Sequence, residues 1–240
     1  MSGRAASIAG IMSDIAALTK AIEKLAPYEQ VQLTTEQFLN IDQELNGDVR
    51  QVPKIADGSV NLLAEKGVTS IWQLFGKYLE LDRDTAKLTD FLKEAGVNRG
   101  NCKEAAEALA KRMTKVGFVL KAPLPPDLQA SARTNDTALA SFSKLKLTEL
   151  TQFKGISSDG GAKKLEAKGV TTTDALFAKF LSFCNEPKVH QPPEKAQEMY
   201  DWMKDAGLAK GGWAPTIIDQ LVAKMKVGID YGVDPDPKTG

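Results

Sequence analysis

LAEKGVTSIWQLFGKYL at 63–79 returns as LEAKGVTTTDALFAKFL at 165–181, a constant offset of 102 residues. Leu63, Lys66, Gly67, Val68, Thr69, Leu74, Phe75, Lys77 and Leu79 reappear as Leu165, Lys168, Gly169, Val170, Thr171, Leu176, Phe177, Lys179 and Leu181. Further along, DFLKEAG (90–96) answers DWMKDAG (201–207) and KVGF (115–118) answers KVGI (226–229), now at an offset of 111. The change of offset places one insertion of nine residues in the second copy, at CNEPKVHQPPE (184–194). Two copies are too few for a solenoid, so the chain reads as a duplicated globular domain.

Apolar residues within each copy recur at helical spacing, and no β-branched run alternates with polar residues. The fold class is therefore all-α, with two tandem small helical domains. In the first copy the pattern predicts helices near 57–66, 69–81, 84–95 and 101–115, punctuated by Gly67, Gly96, Gly100 and Gly117. The polar segment 34–48 predicts one more short helix before Gly47. Residues 122–144 open with Pro123, Pro125 and Pro126 and are rich in Ser, Ala and Thr, which is linker composition. The expected layout is an N-terminal helical extension (1–51), a first domain (52–121), a linker (122–144), a second domain (145–229) and a disordered tail (230–240).

Ahead of the repeats, Ile8, Ile11, Ile15, Leu18, Ile22 and Leu25 fall at spacings of three and four, the a/d seam of a heptad helix. About 18 residues of isolated helix are marginal in water, so the seam must pack on something. Its own domains, a second copy, a protein partner and a membrane surface all remain open.

In 240 residues, 31 Lys and Arg balance 31 Asp and Glu. No bulk field draws the whole chain to nucleic acid or membrane, and any electrostatic binding must be local. Cys102 and Cys184 stand at non-equivalent points of the copies, without CxxC spacing, and read as reduced thiols. No run reaches the ~18 apolar residues of a membrane span. Nor do the first residues carry the apolar core of a signal peptide. The expectation is a soluble intracellular protein.

Each copy has a short hairpin, a helix, the turn K-G-V-T, an aromatic helix ending F-x-K-[YF]-L and then [FW]-[LM]-K-[ED]-A-G. This order resembles barrier-to-autointegration factor, a small helical chromatin protein with a helix-hairpin-helix element. The resemblance implies two helix-hairpin-helix domains, non-sequence-specific binding or bridging of double-stranded DNA, a family dimer imitated within one chain, and a nuclear location.

A helix-hairpin-helix approaches phosphate through the backbone of a Gly-h-Gly turn. In the second copy the turn reads FKGISSDGGAKKL (153–165), with one extra residue relative to the family's turn. Gly155 and Ile156 match the family pattern, Ser157 or Ser158 replaces the second glycine, and Lys163 and Lys164 stand where the family has its lysine pair. These six residues are the candidate DNA contacts. The first copy reads VPKIADGSVNLL (52–63), with neither glycine and with Asn61 and Leu62 for the lysines. Asp57 and Asp159 sit at the two helix starts as expected caps.

No enzyme is read here, since no nucleophile, base and oxyanion donor can be assembled, and no metal or cofactor is called for. His190 stands alone between prolines, and LELDRD (79–84) lacks the Gly and Glu of a calcium loop. Two functions follow: a DNA-binding or DNA-bridging architectural protein, or a structural adaptor that joins proteins and has lost DNA contact.

Overall fold

The computed structural model describes residues 32–186, 191–208 and 212–232. The heptad stripe from Ile8 to Leu25 and His190 lie outside them. Among the described residues the fold is all-helical, with no strand. The α-helices are α1 (Thr35–Leu39), α2 (Asp57–Glu65), α3 (Ile71–Glu80), α4 (Thr85–Glu94), α5 (Cys102–Lys111), α6 (Pro126–Ser131), α7 (Asp136–Ser143), α8 (Lys163–Glu166), α9 (Thr173–Ser182), α10 (Ala196–Asp205) and α11 (Trp213–Val227).

The boundaries of the helices after the K-G-V-T turn obey the sequence offsets to the residue. α3 and α9 start and stop 102 apart, and α4 and α10 do so 111 apart. α5 together with the π-helical turn Arg112–Val116 that follows it maps onto α11 at the same 111. The chemistry of the ends explains the match. Ser70 and Thr172 each accept a hydrogen bond from the third backbone N–H of their helix, and Gly67 and Gly169 share a φ of +79° in the turn before them.

Equivalence also reaches upstream of the expected domain boundaries, at an offset of 101. Thr34 caps α1 as Asn135 caps α7, and the 3₁₀ turns Val49–Gln51 and Leu150–Gln152 correspond. In both, a glutamine oxygen holds the preceding loop: Gln51 accepts from the N–H of Asn46 at 2.7 Å, and Gln152 from that of Thr148 at 2.6 Å. The step from 101 to 102 falls in the π-helical turn Ser158–Ala162, where the extra residue of copy two widens one turn instead of shifting the helix that follows.

The segment with linker composition is helical over α6 and α7. Pro126 fits the first turn of α6, where its missing N–H costs nothing, and Leu124, Leu128 and Phe142 are buried. Likewise the first residues of the expected tail are held: Asp230 donates its N–H to the carbonyl of Thr114 at 3.0 Å and pairs with Arg83.

Two buried cations fix the leading helices to the last helix of each copy. Arg112, fully buried, donates to the carbonyls of Phe38, Asn40 and Gln43 at 2.7, 2.5 and 2.7 Å. Lys224, also fully buried, donates to the carbonyls of Ser143 and Leu145 at 3.0 and 2.6 Å and to that of Tyr231. Carbonyls at a helix C-terminus lack intrahelical partners, and these side chains supply them.

The two copies share one core. α3 crosses α9, and Ser70 and Thr69 donate hydroxyl hydrogens to the carbonyls of Cys184 and Asn185. Arg83 reaches from the end of α3 to Asp174 on α9. Trp72, Phe75 and Phe118 cluster with centroids 4.7 to 6.1 Å apart, and Phe153 meets Phe177 at 6.1 Å. Most of the repeat aromatics are thus core, as their helical spacing predicts.

Candidate nucleic-acid interface

Gly155 ends the tight turn after Phe153 with a φ of +104°, which glycine adopts without strain. It has a second reason to lack a side chain. A Cβ there would lie 2.8 Å from Trp213 Cβ and 2.9 Å from Trp213 Cε3, so the start of α11 packs directly on the turn. Lys154 is fixed from the same helix, its N–H donating to Gln220 Oε1 at 2.9 Å.

Ile156 follows and is 3% exposed, so among the six candidate contacts it anchors the turn in the core and offers nothing to a ligand. Gly161 allows the π turn to close over it: a Cβ there would sit 2.9 Å from Ile156 Cα. Ser157 caps that turn, its Oγ accepting from the N–H of Gly161 at 3.3 Å. The caps of the two hairpin helices are therefore Ala56 and Ser157 and not the expected Asp57 and Asp159, which lie inside the first turn.

Ser157, Ser158, Lys163 and Lys164 are all exposed. Lys164 donates to the carbonyl of Gly207 at 3.0 Å, and Lys154 to that of Arg133 at 3.1 Å. The Arg133 guanidinium stacks over the Trp213 ring at 5.0 Å. Lys154, Lys164 and Trp213 border a cleft of about 460 Å³ between the turn and the Gly207–Leu208 loop. None of Arg133, Lys154, Lys163 and Lys164 is in an ion pair with a described carboxylate. The acidic residue on the turn itself is Asp159, exposed.

Sequence reading missed Lys154, Arg133 and Trp213. Lys154 is visible beside Gly155 once the turn is drawn, whereas Arg133 comes from the connection between α6 and α7, in the segment read as a linker, and left no local signal.

The equivalent turn of copy one is built otherwise. Lys54 takes the place of Gly155, keeps the left-handed backbone at φ +70°, and pairs with Glu104 at 3.7 Å. Arg50 is pinned between Asp48 at 2.6 Å and Asp57 at 3.0 Å, and its hydrogen bond to Asp48 holds the guanidinium above its ordinary pKa. Leu62, at the position of Lys164, lies against Gly96, whose missing Cβ would be 2.5 Å from Leu62 Cδ1. Every cation of this turn is neutralised.

Comparison with protein-family models, curated proteins and solved structures returns no match.

Proposed function

We propose that the chain is a non-enzymatic protein that binds double-stranded DNA without sequence preference. In this reading it is a single-chain pseudo-dimer of two helix-hairpin-helix domains, and the Gly155 turn of the second holds the phosphate backbone. The observation that supports it is the set of cations around that turn, Arg133, Lys154, Lys163 and Lys164, that form no ion pair with a described carboxylate, beside exposed Ser157 and Ser158. Lysines whose charge no carboxylate cancels can neutralise phosphates, and such contacts carry no sequence information. A nuclear location goes with this reading.

Titration of random duplex DNA at increasing salt tests it. Log K is expected to fall linearly with log salt, by about 0.9 per phosphate neutralised. Lys163→Ala with Lys164→Ala is expected to weaken binding to all sequences alike and to flatten that slope by up to about two units. Absence of binding at low salt rejects the proposal.

A structural adaptor is the second reading, favoured by the copy-one turn. There the ion pairs of Arg50 and Lys54 and the packing of Leu62 leave a helical surface suited to protein contact. In that case the domains join proteins, with the N-terminal heptad stripe as a docking element.

A further inference from the structure

We infer that each chain engages a single duplex, through the Gly155 turn alone, and that the equivalent turn at Lys54 is closed to phosphate. The inference rests on the DNA-binding reading and adds its valency. Three pairs of equivalent positions lose a cation in copy one. Lys154, Lys163 and Lys164 of copy two correspond to Pro53, Asn61 and Leu62 of copy one, while Lys54, at the position of Gly155, is held by Glu104.

Geometry adds to composition. A phosphate arriving at Lys54 must displace Glu104, and one arriving at Arg50 must displace Asp48 and Asp57. The displaced carboxylates stay on the same surface and repel the anion. At residue 155 the space a side chain would fill is taken by Trp213, so the two turns differ in their free cations and not in backbone access. Leu62 offers no charge, and Gly96 beside it is covered by that leucine. At the Gly155 turn, by contrast, a phosphate breaks no ion pair. Only the contacts of Lys154 and Lys164 with two carbonyls need to be exchanged.

A symmetric pair of active turns would bring two duplexes together. One active turn binds a duplex without bridging, so any bridging requires association of two chains. Three lysines, Lys154, Lys163 and Lys164, set the expected salt slope near −2.7.

The test is the stoichiometry of the full chain with a short blunt duplex in excess, read by native mass spectrometry at low salt. One duplex per chain is expected. Two duplexes per chain overturn the inference and leave the DNA-binding reading standing, whereas no bound duplex overturns both. A variant with Lys54→Gly, Asn61→Lys and Leu62→Lys, shown to be folded by circular dichroism, is expected to take two duplexes. If that folded variant still takes one, residues 54, 61 and 62 are not what closes the copy-one turn, which overturns the inference.

Discussion

Gly76 on α3 and Ala178 on α9 occupy equivalent positions 102 residues apart and meet where the two helices cross. A Cβ added to Gly76 would lie 3.3 Å from Leu181 Cβ and 3.5 Å from the carbonyl oxygen of Ala178. The smallest side chains of these helices therefore stand at the contact between copies, and they set how closely the backbones approach.

Gly76→Val is expected to wedge this crossing open. Overpacking of a tight contact costs about 1–3 kcal/mol. The urea midpoint should fall, while Gly58→Val, at a helical position with nothing within 4 Å of its missing Cβ, should leave it unchanged or raise it slightly, because valine is the better helix former. Equal losses from both would show that the crossing is not a close one.

Arg83 links the copies from another side. Its guanidinium binds Asp174 bidentately and also Asp230, and burial works against its charge while the hydrogen bonds to Asp174 support it. Arg83→Met leaves Asp174 and Asp230 near one another without a cation. A loss of about 1.5–3 kcal/mol is expected, the range for a charge-assisted hydrogen bond. Arg83→Lys should recover only part of it, because the ammonium cannot make the planar two-point contact. Full recovery with lysine would mean that charge alone matters here.

Burial lowers the Lys224 ammonium to about 8, from an ordinary value near 10.5. Between those two pH values the unfolded chain binds a proton that the folded chain does not, so this group makes stability rise with pH across that window. Denaturant unfolding at pH 7.5 and 9.5 should show the rise in the wild type relative to Lys224→Met. A fall instead would mean that the carbonyls of Ser143, Leu145 and Tyr231 hold the charged form more strongly than burial opposes it.

The repeat was legible wherever both copies kept the same side chains for the same backbone task. Gly67 and Gly169 must both take a positive φ, Leu63 and Leu165 are both fully buried, and the 102 offset therefore shows in the letters. Between 34–55 and 135–156 only Gln51/Gln152 and Ile55/Ile156 are identical, although the helices and turns correspond. There different residues perform one role: Thr34 and Asn135 both cap, and burial moves from Phe38 in one copy to Phe142 in the other. Composition also misled at 122–144, since prolines that read as linker open a helix whose apolar face is covered.

The site was legible only as a local motif. Gly155, Lys163 and Lys164 stand out along the chain, but Arg133 and Trp213 reach the turn from segments distant in sequence. The buried cations Arg112 and Lys224 left no trace either, because their partners are backbone carbonyls, which carry no residue identity.

Joining equivalent halves in one polypeptide changes how such a molecule can diverge. In a dimer of identical chains every substitution is made twice, so a mutation that closes one face closes both. Here position 62 can turn to leucine while position 164 remains lysine. The halves are free to drift toward different surfaces so long as the crossing at Gly76 and Ala178 still lets them close.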